Sequence, residues 1–203
     1  PGQAGFTRGR PAKPRQSPGI PRLSSVLASL QLPVEYAITD AARLGSAEML
    51  ARLERRLAGG LKLLQIREPD LGEEARRLFT QQALGLARRY GCKVLVKSPF
   101  PGADGMHYTA AELMRLGARP KDTLVAASCH TRAELERAMQ LELDFTVLGP
   151  VREKAAIGWQ RFRELAADSS IPVYAIGGLS PADRFHAWRA GAHGVAMIRA
   201  AWA

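Results

Sequence analysis

Cysteine is scarce in this 203-residue chain. Only Cys92 and Cys129 occur, too few for a disulfide framework and without the spacing of a zinc site. Both lie in apolar stretches, which marks them as buried free thiols. No apolar run approaches the roughly 18 residues that a membrane span requires. No apolar h-region opens the sequence as in a secretory signal, so a cytoplasmic location is expected. Acid is missing from residues 1–34, where Arg8, Arg10, Lys13, Arg15 and Arg22 carry half of the net charge of +10. The remaining positive charge is scattered, as at Arg52, Arg55 and Arg56, with glutamates beside it, the pattern of a solvated face. A basic segment can touch phosphates without specificity. No nucleic-acid-binding motif accompanies it, so no specific nucleic-acid partner is expected.

What is present is a repeating apolar pattern. Hydrophobic residues make up 46% of the chain, enough for a substantial core. Residues 1–31 have linker composition, with Pro1, Pro11, Pro14, Pro18 and Pro21 among glycines and arginines. Residues 32–203 form the folded part. Short apolar runs at Tyr36–Thr39, Leu61–Ile66, Lys93–Val96, Gly105–Tyr108, Leu124–Ala127, Phe145–Leu148, Val173–Ile176 and Gly194–Met197 read as strands of a buried parallel sheet. Helical patterns fill the gaps at Ser46–Ala58, Glu73–Tyr90, Trp159–Ala167 and Pro181–Ala190, and a last helix begins near Arg199. Thr109-Ala-Ala-Glu112 and Thr131-Arg-Ala-Glu134 are capping boxes that open two more. This alternation predicts a compact (β/α)8 TIM barrel of the α/β class. A doubly wound open sheet is the alternative, but its glycine-rich first turn is missing after Thr39. Lys97-Ser-Pro-Phe-Pro-Gly-Ala-Asp104 has no room for a full helix, so the unit between strands 3 and 4 is shortened.

In such a barrel, chemistry sits at the C-terminal strand ends. The seventh strand ends in Gly177-Gly178, followed by Ser180 as N-cap and Pro181 at the first helical position. Glycines there let the backbone approach an anion closely. With Met197 and Ile198 at the end of strand 8, these residues predict a phosphate site. The other strand ends supply Gln65, Arg67 and Glu68, then Lys97 and Ser98, His107, Ser128 and His130, and Arg152, Glu153 and Lys154. Arg67 can hold a carboxylate or phosphate bidentately or pair with Glu68 or Glu73. Lys97 and Lys154 are candidate anion contacts, Gln65 and Ser128 candidate substrate contacts. His107 is read as structural. His186 and His193 are given no role.

These pieces together resemble the thiamine-phosphate synthase family and its relative, the TenI-type thiazole tautomerases. The resemblance rests on Gln65-Ile-Arg67, Gly102-Ala-Asp-Gly-Met-His107, Ser128-Cys-His130-Thr131, Gly149-Pro150, Ala175-Ile-Gly-Gly-Leu179 and Gly191-Ala-His-Gly-Val-Ala196. It implies a thiamine-biosynthesis-like barrel binding a small phosphorylated heterocycle of the thiazole phosphate or thiamine phosphate type. It also implies that His130 moves a proton, a task suited to a group that titrates near neutrality.

Several residues depart from the family pattern. Lys97-Ser98 stands where the synthases carry Asn-Asp, and Glu112 stands at a second magnesium aspartate. Pro69 replaces a lysine, and the loop after strand 6 is shortened to Val151-Arg-Glu-Lys-Ala155. No metal or other cofactor is therefore expected, magnesium included, and no fully competent synthase. The departures and the basic linker resemble the synthase-like domain found C-terminal to MutT-type Nudix hydrolases of the 8-oxo-dGTP diphosphatase type. The alternative function is accordingly a non-catalytic, ligand-sensing domain. No Nudix box occurs in this sequence. The expected partners are a small phosphorylated ligand and an upstream Nudix domain, with a homodimer allowed and no membrane.

Overall fold

Eight short strands close on themselves, each parallel to both neighbours, in the order β1 to β8. The structure, a computed structural model, describes residues 32–153 and 155–203. The linker read over residues 1–31, and Lys154, lie outside the described residues. The strands are β1 Glu35–Ile38, β2 Leu63–Ile66, β3 Lys93–Val96, β4 Gly105–Tyr108, β5 Leu124–Cys129, β6 Phe145–Leu148, β7 Val173–Ile176 and β8 Gly194–Met197. Helices follow each strand except β3, where residues 97–104 connect directly to β4, and β8, which is followed by a 3-10 turn. The barrel read from the apolar alternation, with its shortened third unit, is the observed fold.

Apolar residues line both faces of the strands because the sheet is buried on both. Inside, Tyr36, Leu63, Leu95, Phe145, Val147 and Tyr174 form a plug. Phe145 meets Tyr36 and Tyr174 edge-on, with ring centroids 5.2 Å apart in each pair. Such pairs add about 0.5–1.5 kcal/mol beyond their burial. Outside, each helix buries a stripe against the barrel. Met49, Leu53 and Leu57 lie at four-residue spacing on the helix Ser46–Ala58, and Phe79, Ala83 and Ala87 on the helix Glu73–Arg89. Both capping boxes form: Thr109 with Glu112 and Thr131 with Glu134. Cys92 and Cys129 are buried free thiols, and burial pushes each up to about 12.

The boundaries depart from the sequence reading where tertiary contacts decide. β1 stops at Ile38, although the Thr39 N–H still donates to the Gln65 carbonyl at 3.0 Å and its hydroxyl accepts the Arg67 N–H at 3.0 Å. β2 begins at Leu63, and β5 runs on to Cys129, where Ser128 and Cys129 pair with Val147 and Leu148 of β6. The segment Pro181–Ala190 divides into a 3-10 turn, Pro181–Asp183, and a short helix, Arg184–Arg189. The last element is a 3-10 turn, Arg199–Trp202, pinned by the Trp202 indole N–H donating to the Ile38 carbonyl at 2.7 Å. A helix unread in the sequence, Ala41–Leu44, follows β1. Its first N–H groups donate to the buried Glu68 carboxylate, at 2.9 Å from Ala41 and 3.3 Å from Ala42. That cap comes from a residue 27 positions away, so no local motif announces it.

The N-terminal end of the barrel is tied by carboxylates. Asp104 accepts the Val94 N–H at 2.9 Å and the Lys93 ammonium at 2.8 Å. Asp144 repeats the device, accepting the Val125 N–H at 2.6 Å and the Arg119 guanidinium at 2.7 Å.

Candidate functional site

A cavity of about 810 Å3 opens at the C-terminal strand ends. Its walls come from almost every strand: Ile38, Gln65, His107, Ser128, Val147, Ile176 and Ala196 all reach it. Arg43, Arg52, Arg67, Lys97 and Arg199 also line it, against one carboxylate, Glu153. This excess of cationic groups in a concave site favours an anionic ligand. Four of the five cations have an acidic neighbour. Arg43 pairs with Asp40 at 2.7 Å, Arg52 with Glu48 at 2.6 Å, and Arg199 with Glu153 at 2.9 Å. Lys97 stands 4.0 Å from Glu112. Arg67 has no ion pair among the described residues. Glu68, its sequence neighbour, is committed to the helix Ala41–Leu44 instead.

The loops after β7 and β8 border this one cavity together. Gly177, Gly178, Leu179 and Ser180 come from the first, and Met197, Ile198, Arg199 and Ala200 from the second. Gly177 and Gly178 have φ of +104° and +66°, the left-handed region that glycine enters without penalty. At Gly177 a side chain has no room either, since a Cβ there would lie 2.6 Å from the Pro150 Cβ. Among the described residues, the N–H groups of Gly177, Gly178, Ile198 and Arg199 donate to no acceptor. Unpaired amides at a cationic concavity are donors available to an oxyanion.

One expected donor is taken. The Ser180 N–H and hydroxyl donate to the Asp183 carboxylate at 2.9 Å and 3.0 Å, so this helix start is capped internally. Asp183 in turn pairs with Arg152 at 2.5 Å. Burial pushes the Asp183 carboxyl up, and the bonds from Ser180 and Arg152 outweigh it and hold the group below its ordinary value.

His130 lies at the cavity wall with its Nδ1 2.6 Å from the Gly149 carbonyl. A carbonyl only accepts, so Nδ1 carries a proton, and in the neutral ring Nε2 is the nitrogen with the lone pair. That arrangement is suited to a general base. His107, read as structural from the sequence, also lines the cavity. It is buried, with Nδ1 3.0 Å from the Tyr36 hydroxyl and Nε2 2.9 Å from the Ser128 hydroxyl. Burial first, then the Arg67 charge, lowers His107 to about 3, against a partial opposing pull from Glu112. It is therefore neutral at physiological pH and unable to exchange a proton as an acid.

The cavity gathers Gln65, Arg67, Lys97, Ser128, His130, Gly177, Gly178, Met197 and Ile198 from the candidates read in the sequence. Lys154 lies outside the described residues. Arg43, Arg52 and Arg199 were missed. Arg43 lies on the unread helix Ala41–Leu44, and Arg52, on the helix Ser46–Ala58, was read as part of a solvated face. Arg199, two residues beyond the end of β8, could have been found by extending the strand-end rule one step.

The Glu112 carboxylate already accepts the Thr109 N–H and hydroxyl, each at 2.8 Å, with the Lys97 ammonium beside it. Among the described residues, no group of three His, Cys, Asp or Glu side chains is placed to hold a metal ion.

Comparison with known proteins agrees with this architecture. The model of the thiamine monophosphate synthase family matches residues 35–201. A protein of Geobacter sulfurreducens is 33% identical over 185 residues, covering 81% of this chain and 84% of the relative. The thiamine-phosphate synthase of Thermus thermophilus is 31% identical over 164 residues, covering 74% of this chain and 80% of its own. The solved structure of thiamine phosphate pyrophosphorylase from Pyrococcus furiosus shares the fold, with a TM-score of 0.67 at 22% identity over 81% of this chain and 84% of that one. The family model spanning residues 35–201, together with the sequence relationship, shows that this chain belongs to the thiamine monophosphate synthase family.

Proposed function

We propose that the cavity binds a small phosphorylated heterocycle of the thiazole phosphate or thiamine phosphate type, and that His130 moves a proton on it. The observation that carries this reading is the meeting of the two glycine-bearing loops, after β7 and β8, at one cationic cavity. The phosphate takes the amides of Gly177, Gly178 and Ile198, with Met197 shaping the wall beneath. Arg67 and Lys97 supply countercharge, and Gln65 and Ser128 contact the ring. His130 Nε2 removes a proton from one position of the heterocycle and returns it at another, so the isomerisation needs no co-reactant. Gly149 holds the imidazole in the basic tautomer throughout.

Metal-dependent coupling of the synthase type does not fit. Magnesium would neutralise a departing diphosphate. Here the ammonium of Lys97 and the capped carboxylate of Glu112 occupy that corner.

The second reading is a ligand-sensing domain of a Nudix hydrolase. It is favoured by the same altered residues and by the Pro, Gly and Arg composition of residues 1–31, read as a linker to the barrel at 32–203. Isothermal titration with thiazole phosphate and thiamine phosphate, joined to a tautomerase assay, separates the two. Turnover that falls about 10²–10⁴-fold in His130→Ala supports proton transfer. Binding with no turnover supports the sensor. Failure to bind either ligand, or inorganic phosphate, defeats both.

A further inference from the structure

Below the phosphate loops, three strands bring Tyr36 of β1, His107 of β4 and Ser128 of β5 into one hydrogen-bonded line. We infer that this line fixes Ser128 as a hydrogen-bond donor into the cavity, so that the site favours an unprotonated acceptor as the ligand atom above it. The inference rests on the reading of the cavity as a heterocycle site and names what that site demands of the ring.

The proton order follows from the inner end. Tyr36 is wholly buried, and burial holds its phenol protonated, its pKa raised well above the ordinary value. Its hydroxyl has one partner among the described residues, His107 Nδ1 at 3.0 Å. If Nδ1 carried the proton, the phenol O–H would be a buried donor without an acceptor, the arrangement that folded proteins avoid. The phenol therefore donates to the Nδ1 lone pair. His107 is neutral, so its single proton sits on Nε2 and donates to the Ser128 oxygen at 2.9 Å. Ser128 has no other partner among the described residues and lines the cavity. Its own O–H is the remaining donor, and the cavity is the space left for it. Arg67 and Glu112 are the charged groups that act on His107, with opposite signs. A ring nitrogen without hydrogen, as in a thiazole, or a ring carboxylate satisfies this donor. An N–H at the same place could use only the remaining Ser128 lone pair and would leave the O–H without an acceptor, so it binds more weakly.

Tyr36 and His107 are then positioning residues acting through Ser128. The first test uses the unaltered chain with ¹⁵N-labelled histidine. At pH 7 the His107 ring should show Nε2 protonated and Nδ1 bare. A ring protonated at Nδ1, or at both nitrogens, overturns the relay. The second test is titration of Ser128→Ala and Tyr36→Phe with thiazole phosphate and with inorganic phosphate. Each variant should bind thiazole phosphate about tenfold more weakly, the worth of one hydrogen bond. Inorganic phosphate should bind both within about twofold of the unaltered chain. A general packing defect would weaken both ligands together. Unchanged thiazole phosphate affinity in Ser128→Ala refutes the donor role. Absence of any phosphate binding defeats the cavity assignment instead, while the nitrogen spectrum still decides the relay.

Discussion

The two ends of the barrel use charge in opposite ways. At the N-terminal end, carboxylates sit between cations and strand amides: Asp104 joins Lys93 to Val94, Asp144 joins Arg119 to Val125, and Glu35 takes both Arg56 and Arg184. Cation, carboxylate and amide there are matched and add rigidity. At the C-terminal end, cations outnumber carboxylates around an open cavity, Arg67 has no ion pair among the described residues, and amides of two loops lack acceptors. At the first end the charges are paired within the fold, the buried Arg56 Nε excepted, whereas the second leaves donors open to an anion. Substitutions at one end should therefore change stability without affinity, and those at the other affinity more than stability.

The largest expected effect tests how far acid reaches below the cavity. His107 is lowered from 6.5 to about 3 by burial and by Arg67. Its folded pKa lies below its unfolded one, so between these values the unfolded chain takes up a proton that the folded chain refuses. The contribution is complete above pH 6.5 and is lost as pH falls toward 3. The slope is about 1.4 kcal/mol per pH unit, so roughly 3 kcal/mol disappears between pH 6.5 and pH 4. Denaturant unfolding at several pH values measures it, and His107→Gln should flatten the curve across this window. A slope unchanged by that substitution would place the acid sensitivity elsewhere.

Gly177→Ala comes next and acts on both sides of the comparison. The positive φ and the 2.6 Å approach to Pro150 force the loop to shift. Strain of this kind costs about 1–3 kcal/mol of stability. Displacing two amides from a phosphate should weaken its binding about a hundredfold. Calorimetric titration with inorganic phosphate reads the second quantity. A variant that binds phosphate normally would mean that the β7 loop is not the anion site.

The contrast between the ends also explains what could be read from the sequence. Five of the eight strands, and the helix Ser46–Ala58, followed to the residue from apolar periodicity, because those segments are buried by their own local pattern. The capping boxes were legible for the same reason: donor and acceptor lie three residues apart. The helix Ala41–Leu44 was not legible, because its cap is Glu68, held across the barrel top by the fold itself. The role of His107 was hidden likewise. Its neighbours Tyr36 and Ser128 are 71 and 21 residues away, and only closure of the barrel aligns them. Arg43 reaches the cavity from the unread helix Ala41–Leu44, and Arg52 from a helix that was read but whose charge was assigned to a solvated face. Strand ends give a list of polar residues, whereas closure decides which share a proton.

At the N-terminal end, Asp144→Ala should sharpen the distinction. It removes the acceptor of the Val125 N–H and the partner of Arg119. Hydrogen bonds to charged groups contribute about 1.5–3 kcal/mol, so thermal or denaturant unfolding should show a loss near 2 kcal/mol. Phosphate affinity should stay unchanged, since Asp144 lies at the opposite end of the barrel from the cavity. A matching loss of affinity would show that the two ends are coupled through the aromatic plug.

The smallest expected effect is that of magnesium, and its size decides between two chemistries for one corner of the cavity. A metal that binds the folded chain raises its melting temperature in proportion to occupancy. Lys97 places an ammonium 4.0 Å from Glu112, and Glu112 spends its carboxylate on Thr109. The bonds from Thr109 and the charge of Lys97 outweigh desolvation and keep Glu112 ionised below its ordinary range. A dication approaching Glu112 must displace the capping bonds and meet the lysine charge. Millimolar magnesium should therefore leave both the melting temperature and the thiazole phosphate affinity unchanged. Lys97→Asp removes the repulsion and adds a second oxygen ligand, so magnesium should stabilise that variant. Stabilisation of the unaltered chain by magnesium would reverse the argument, make Glu112 a ligand and return the site to metal-dependent coupling.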